Sequence, residues 1–260
     1  MEGRYRFLGT GSSLGVPVVC CKCAVCSSTN EKNKRLRSSG LLQIGNKKIL
    51  LDVGPDYRTQ ALQNGIHSLN GCLLTHAHYD HLGGFEDLKV YAHQGTKLPC
   101  LMLEDTFQQL KVKYAHLMRP SQEDVDDSPF FEWHRLKMPF GYRLFEGIAF
   151  EILSFKQVGM QVMGIRVGDF GYISDIKEYN LELITKLEGI GTLVISAPRK
   201  KASLMHFSLE DAIAFSRRVK AKKTYITHIA HELDHEETQK ELPPSFFLAY
   251  DGLEIAFQVL

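Results

Sequence analysis

Short apolar runs recur along the whole chain and are separated by polar or glycine-containing turns. Residues 1–8 alternate between polar and apolar side chains, a pattern typical of an edge β-strand. Residues 41–44 and 48–51 flank the segment Gly45-Asn46-Lys47, which predicts a β-hairpin. Further strand-like runs follow one another between residues 131 and 173, so this part of the chain is predicted to be rich in strands.

Helical patterns occupy shorter stretches. Asp56 stands where an N-cap is expected, and Gly65 lies just beyond the end of a short helix. Apolar residues recur at helical spacing over 107–118, which predicts an amphipathic helix. Ser208 and Asp211 have the spacing of a capping box that opens a later helix. A strand-rich part followed by strands interleaved with helices predicts sheets that have helices packed outside them.

Three predicted buried strands, at residues 72–74, 172–174 and 224–226, lead directly into side chains that bind divalent metals. The ligand-type residues that follow these strands are, in chain order, His76, His78, Asp80, His81, Asp175 and His228. Imidazole and carboxylate groups are good ligands for zinc and similar ions. A polar turn with neutral histidines could explain the first group alone, but recurrence at three strand ends favours a metal centre.

The cysteines indicate a second kind of metal site. Four of the six fall within residues 20–26, too close together for an ordinary disulfide framework. The pair Cys23-x-x-Cys26 is a common half of a tetrahedral zinc site. Cys21, Cys23 and Cys26 can supply three ligands, and the fourth must come from elsewhere in the chain. The alternative is a set of small buried thiols without metal.

Composition and charge narrow the functional classes. The chain has 260 residues and no internal repeat or linker, so residues 1–260 are predicted to form a single domain. The formal net charge of +1 gives no reason to expect a long polyanion as partner. No apolar run is long enough to cross a bilayer, and the N-terminus lacks the apolar core of a signal peptide. We therefore expect no membrane partner and a cytoplasmic location.

The motif His76-x-His78-x-Asp80-His81, followed by Asp175 and His228, resembles that of the metallo-β-lactamase superfamily. Within the superfamily, the chain is most similar to the PhnP-type phosphodiesterases of the carbon–phosphorus lyase pathway. The other segments that carry this similarity are Gly9-Thr10-Gly11, Cys21-x-Cys23-x-x-Cys26, Thr227-His228-Ile229-x-His231 and Asp251-Gly252-x-Glu254-Ile255. The resemblance implies the α/β (α+β) class, as a four-layer αβ/βα sandwich with the metal centre at one edge.

The resemblance also implies roles for individual residues at a centre of two divalent metals. The first metal would be bound by His76 and His78, the second by Asp80, His81 and His228, and Asp175 would bridge them. Manganese, zinc or iron would suit this mixed ligand set and would activate a hydroxide. Asp80 and His206 would be the catalytic residues, with His206 as the general acid.

A separate structural zinc is implied near the N-terminus. Its ligands would be Cys21, Cys23, Cys26 and His231. A closed shell of three thiolates and one imidazole leaves no open coordination position. The zinc would therefore hold the N-terminal loop, at about residues 20–37, and take no part in catalysis.

One position departs from the family pattern. Gln157 stands where a further histidine ligand of the first metal is expected. An amide carbonyl is a poor ligand for zinc beside imidazole, although it serves harder ions such as manganese. Three outcomes stay open, with Gln157 as a candidate ligand: a weakened two-metal enzyme, a one-metal enzyme, or a metal-poor relative that binds a ligand without turnover.

The leading functional hypothesis is metal-dependent hydrolysis of small or cyclic phosphodiesters. A ribonuclease that processes the 3′ ends of transfer RNA shares the glycine-rich opening and the histidine motif. That class usually carries an extended RNA-gripping arm, and the sequence shows no long basic insertion. The third hypothesis is a non-hydrolytic relative that serves in cofactor assembly or ligand binding. The resemblance further suggests a homodimer.

Overall fold

The structure is a computed structural model that describes residues 1–92, 96–119, 126–138 and 140–259. Within them the chain forms two seven-stranded β-sheets. The strands are β1 (Glu2–Gly9), β2 (Ser39–Ile44), β3 (Lys47–Leu51), β4 (Gly71–Leu74), β5 (Leu98–Leu103), β6 (Phe131–Leu136), β7 (Gly141–Phe145), β8 (Ile148–Gln157), β9 (Met160–Val167), β10 (Phe170–Ile173), β11 (Thr192–Ser196), β12 (Lys223–Thr227), β13 (Phe246–Leu248) and β14 (Glu254–Gln258).

Six α-helices accompany these strands in the described part of the chain. They are α1 (Tyr57–Gln63), α2 (Tyr79–Leu82), α3 (Glu104–Lys113), α4 (Leu181–Leu187), α5 (Leu209–Arg218) and α6 (His235–Glu241). Short 3-10 segments lie at Glu31–Asn33, Phe85–Tyr91 and Ala115–Leu117. Among the described residues, none of the helices has the length and apolar character that crossing a membrane requires.

The order of strands is β14-β1-β2-β3-β4-β5-β6 in the first sheet and β13-β12-β11-β10-β9-β8-β7 in the second. Strands β3 to β6 pair in parallel, and so do β10 to β13. The predicted hairpin is confirmed, because β2 and β3 pair antiparallel and Ile44 lies opposite Lys47. Parallel pairing places the carboxyl ends of several strands together at one edge of each sheet.

Three apolar layers define the sandwich. Tyr5 and Tyr172 belong to the layer between the two sheets. Leu50 and Phe107 belong to a layer between the first sheet and its helices, and Phe215 to a layer between the second sheet and its helices. The order helix, sheet, sheet, helix confirms the predicted four-layer αβ/βα architecture.

Two local predictions need correction, and a third is confirmed in position alone. The first strand is not an edge strand, because β14 pairs with it on one side and β2 on the other. The C-terminal partner lies at the far end of the chain, where no local pattern reveals it. Asp56 is the N-cap residue of α1, as predicted, but its side chain forms no capping hydrogen bond. Its carboxylate instead accepts hydrogen bonds from the backbone N–H of Arg37 at 2.8 Å and from Nη1 of Arg37 at 3.0 Å. The predicted amphipathic helix ends at Lys113, and Leu117 lies in a separate 3-10 segment.

The capping box at the start of α5 is confirmed. The Asp211 backbone N–H donates to Ser208 Oγ at 3.1 Å, and the Ser208 backbone N–H donates to the Asp211 carboxylate at 2.9 Å. This reciprocal pair satisfies two amide groups at the helix start that would otherwise lack a partner. It fixes the point at which the segment carrying His206 joins the helix.

Three strand exits share an unusual backbone conformation. Asp52, Asp175 and His228, which follow β3, β10 and β12, have φ values of +60°, +58° and +58°. Residues other than glycine adopt this left-handed region infrequently, although aspartate and histidine do so more often than most. The conformation bends the chain sharply where each strand ends, and all three side chains are buried there. These exits position the site.

Candidate metal centre

The segment after β4 is anchored to the exit of β3 before it reaches its ligands. The backbone N–H of Thr75 donates to Asp52 at 2.8 Å, and the Thr75 hydroxyl donates to the same carboxylate at 2.9 Å. The hydroxyl oxygen also lies 2.9 Å from Nδ1 of His76. A proton on Nδ1 completes this contact and leaves Nε2 of His76 free to bind a cation.

Helix α2 brings the next ligands to the same place. His78 is its N-cap residue, and Asp80 and His81 lie within it. The Val53 backbone N–H donates to the His81 carbonyl at 2.8 Å. Gly54 allows this approach, because a Cβ atom there would lie 2.2 Å from the Asp80 carbonyl oxygen. The chain after β3 therefore packs directly against the ligand-bearing helix.

Asp175 lies at the centre of the ligands. Its Oδ2 is 3.2 Å from Nε2 of His76 and 3.1 Å from Nε2 of His81. Its Oδ1 is 3.3 Å from Nε2 of His228. The Asp175 backbone N–H donates to Ser196 Oγ at 2.7 Å, which holds the turn in place. The carboxylate thus faces imidazoles from both predicted metal sites.

The ligand-type residues form two groups that share this aspartate. In each group the candidate ligand atoms lie within 4.8 Å of one another. The first group is His76, His78 and Asp175, and the second is Asp80, His81, Asp175 and His228. The structure therefore brings together all six residues, in the division that the resemblance implied.

Buried atoms of the centre lack a hydrogen-bond partner of acceptable geometry among the described residues. They include Nε2 of His76, Nε2 of His81 and both carboxylate oxygens of Asp175. An unsatisfied buried polar group costs about 1–3 kcal/mol, so native proteins rarely keep several together. Cations bound between these atoms would satisfy them. The residues present fit a pair of divalent metals.

Burial and neighbouring charges keep Asp175 and His78 in the protonation states that metals require. Burial would raise the pKa of Asp175, but His228 and His81 hold it well below its usual range. Burial, together with neighbouring His76, lowers the pKa of His78 to about 4. An ionised carboxylate and a neutral imidazole are the forms that bind cations. Burial would lower the pKa of His81, but the neighbouring carboxylates of Asp80 and Asp175 raise it. The positive charge that these carboxylates favour on the His81 ring could instead be supplied by a bound cation.

His206 lies beside Oδ1 of Asp175 and is contacted by Gln157. The His206 side chain is 20% exposed, and its Nδ1 lies 3.5 Å from Asp175 Oδ1. Its ring centroid is 5.3 Å from that of His228. Gln157 ends β8, and its Nε2 lies 3.1 and 3.2 Å from the two ring nitrogens of His206. His206 therefore combines contact with the centre and partial access to solvent.

The predicted structural zinc ligands also come together. Nδ1 of His231 lies 3.3 Å from Sγ of Cys21, 3.5 Å from Sγ of Cys23 and 3.6 Å from Sγ of Cys26. Tetrahedral zinc, with usual Zn–S and Zn–N distances, places sulfur and nitrogen ligands about 3.6 Å apart. A hydrogen bond from the Cys26 backbone and contact with His231 lower the pKa of Cys23 to about 6, toward the thiolate form that binds zinc.

Sequence reasoning missed Asp52. Nδ1 of His81 lies 2.7 Å from Asp52 Oδ2, and both side chains are fully buried. A signal was present, because Asp52 directly follows the apolar run 48–51, as Asp175 follows the run 172–174. Thr75 and Ser196, which support the ligands, carry no comparable signal in their local sequence.

Comparison with known proteins identifies the family. A profile described as the Beta-lactamase superfamily domain matches residues 47–229. An octanoyltransferase from Porphyromonas gingivalis is 30% identical over 254 residues, which cover 96% of this chain and 51% of that protein. The chain thus spans about half the length of this curated relative.

Solved structures extend the comparison over the whole chain. The crystal structure of a diphosphatase from the PhnP family is 32% identical, with a TM-score of 0.92, and the match covers 100% of this chain and 98% of that one. Zinc-bound PqqB from Methylobacterium extorquens is 18% identical, covers 97% and 99% of the two chains, and has a TM-score of 0.79. The short form of human tRNase Z is 14% identical over 97% and 98%, with a TM-score of 0.66. The last two show the shared fold alone, whereas the profile and the diphosphatase place this chain in the metallo-β-lactamase superfamily of hydrolases and, within it, in the PhnP family.

Proposed function

We propose that this protein is a metal-dependent phosphodiesterase that hydrolyses small or cyclic phosphodiesters. The observation that carries the proposal is the position of Asp175, whose two oxygens face imidazoles of both ligand groups. A shared carboxylate of this kind suits two adjacent cations, the arrangement used to displace groups at phosphorus. The diphosphatase of the PhnP family supports a reaction at phosphorus.

The chain's own residues would bind the cations and donate a proton to the leaving group. When bound, the two cations would supply Lewis-acid activation of water and neutralise charge on the phosphoryl group. Manganese, zinc and iron all suit the ligand set. His206 lies beside Asp175 on the partly exposed side, where it can hold a proton for the departing oxygen. Asp80 would orient the attacking water from the second group.

The proposed substrate is small because the nearly neutral protein has little overall electrostatic attraction for a long polyanion. The formal net charge is +1, and the sequence contains no long basic insertion. The proposed oligomeric state is a homodimer. Each chain would bind one structural zinc through Cys21, Cys23, Cys26 and His231. Gel filtration with light scattering and metal analysis would check both statements.

The direct experiment measures hydrolysis of bis(p-nitrophenyl) phosphate by purified protein. Removal of metal by a chelator should abolish activity, and manganese or zinc should restore it. His78→Ala should lower kcat at least a hundredfold, since it removes one ligand of the first group. The matched control is His67→Ala, at an exposed histidine outside both ligand groups, which should retain full activity. Activity that survives chelation, or that falls equally in both variants, would contradict the proposal.

Two further substrates separate the alternatives. A nucleoside diphosphate tests for cleavage of phosphoanhydride bonds, which the name of the PhnP-family diphosphatase suggests. A transfer-RNA precursor tests the ribonuclease hypothesis, and genuine binding should weaken steeply as salt rises. The octanoyltransferase name is not extended to this chain, because the chain spans only 51% of that protein.

The non-hydrolytic alternative makes a different prediction. In this alternative the protein serves in cofactor assembly or ligand binding without turnover. A preparation that binds one zinc per chain at the cysteine site, takes up no further metal and shows no hydrolysis would favour that alternative over the phosphodiesterase.

A further inference from the structure

The residue that breaks the family pattern contacts the proposed general acid. Gln157 is 1% exposed, and its amide nitrogen lies within 3.2 Å of both ring nitrogens of His206. Its Oε1 is buried without a hydrogen-bond partner among the described residues. The contacts of the amide nitrogen with His206 are the hydrogen-bond contacts that the Gln157 amide makes within the described part of the chain.

Backbone contacts hold Gln157 in place from both directions. It is the last residue of β8 and lies opposite Met160 of β9 across a tight turn. Lys156, the residue before it, pairs with Glu178 just beyond Asp175, through two backbone hydrogen bonds of 2.9 Å each. The turn that carries Gln157 is therefore tied to the exit of β10. The amide has a fixed position relative to the centre.

The hydrogen-bonding capacity of an amide suits this position. The Gln157 amide nitrogen donates, so it can hold a neutral imidazole in either tautomer through whichever ring nitrogen carries no proton. His206 has a second contact, 3.5 Å from Asp175 Oδ1, and is otherwise partly open to solvent. A ring with only this long contact would sample several rotamers, and the amide restricts it to one.

We propose that Gln157 is the positioning residue of His206 and is not a metal ligand. The first group then keeps three protein ligands, His76, His78 and Asp175, and an open coordination position. Three protein ligands and one open position are typical of catalytic metal sites. This inference rests on the proposed function for the role of His206 but makes a separate statement about Gln157.

The test replaces the amide with a side chain of similar size that forms no strong hydrogen bond, Gln157→Met. Gln60→Met is the matched control, since Gln60 is also buried and donates to the Arg37 carbonyl at 2.8 Å, away from the centre. Metal content after dialysis should be the same in Gln157→Met and the parent. Loss of one cation per chain in Gln157→Met alone would overturn the proposal and make Gln157 a ligand.

Leaving-group dependence provides the catalytic readout. p-Nitrophenolate departs without a proton, whereas an alkoxide needs one from a general acid. Gln157→Met should therefore lower kcat about tenfold or more for an alkyl phosphodiester and less than threefold for bis(p-nitrophenyl) phosphate, with KM little changed. The double variant with His206→Ala should be no slower than His206→Ala alone. An equal loss on both substrates would overturn the proposal.

A spectroscopic readout tests the same contact without turnover. In spectra of ring-labelled histidine, Gln157→Met should shift the His206 signals, assigned through His206→Ala, while the signals of His76 and His78 stay in place. Gln60→Met should shift none of them. If the parent hydrolyses no phosphodiester but this pattern appears, the phosphodiesterase proposal fails and the positioning contact stands. If the His206 signals do not move, the contact is absent and the inference fails.

Discussion

Nδ1 of His81 donates a hydrogen bond to Oδ2 of Asp52 across 2.7 Å, between two fully buried side chains. The contact turns the opposite ring nitrogen, Nε2, toward Asp175 at 3.1 Å and Asp80 at 3.4 Å. A carboxylate behind a histidine ligand fixes the tautomer and the orientation of the ring. The exit of β3 therefore supports a ligand that lies on α2, although it supplies no ligand itself.

Asp52→Asn should weaken binding of the metal at the second ligand group without unfolding the protein. The amide keeps the shape of the side chain but is a poorer acceptor for His81, and such changes typically cost 10–100-fold in metal affinity or activity. Titration of metal-free protein with manganese measures the change. Asp169→Asn is the control, since Asp169 accepts a backbone hydrogen bond from Gln258 at 2.6 Å in the turn before β10. Similar affinities in the two variants would contradict the assigned role of Asp52.

Gly54→Ala should disturb the ligand helix through a steric clash. The new Cβ would lie 2.2 Å from the Asp80 carbonyl oxygen, so α2 or the chain after β3 must shift. We expect a loss of about 1–3 kcal/mol in the free energy of unfolding and a measurable loss of metal at the second group. Gly147→Ala, at φ +80° with open space around it, should lose stability but retain its full metal content. If Gly54→Ala and Gly147→Ala both keep their full metal content, α2 moves without displacing its ligands and the predicted metal loss is wrong.

Cys26→Ser should remove one zinc per chain and lower the melting temperature. Cys26 and Cys100 are both buried, but only Cys26 lies near His231. Cys100→Ser should therefore keep its zinc. His231 is separated from His228 by Ile229 and Ala230, so zinc loss should also weaken binding of the catalytic metals. Each kcal/mol lost should lower the melting temperature by about 2–4 °C. Equal zinc contents in the two variants would exclude the cysteine site.

His235 should make the folded protein less stable as the pH falls below neutrality. Burial, with Lys32 and Arg35 nearby, lowers the pKa of His235 to about 4, whereas an unfolded chain has a histidine pKa of about 6.5. Between these values the unfolded state binds the proton, so stability present at pH 7 is lost as the pH falls toward 4. Relative to His235→Gln, the parent should lose up to about 2 kcal/mol at pH 5 in urea unfolding. Exposed His67→Gln should show no such difference, and parallel pH profiles for the parent and His235→Gln would refute the assignment.

Most strands could be predicted because their apolar runs are local. The hairpin of β2 and β3 depends on residues that are neighbours in sequence, and the capping box at Ser208 on residues three apart. The place of β1 inside its sheet could not be predicted. Its partner β14 lies near the other end of the chain, and pairing between such distant segments leaves no local signal.

The identity of the ligand-type residues could be inferred from the sequence, because strand exits and short spacings are local features. Their division into two groups followed from the family resemblance. The pairs of atoms that meet are set by tertiary packing. It placed Asp175 between the two groups, set Asp52 behind His81, and aimed the Gln157 amide at His206. These contacts join segments that are far apart in the chain, and their distances depend on how two sheets pack against each other. Side-chain orientation is fixed by that packing, which no pattern along the sequence can express.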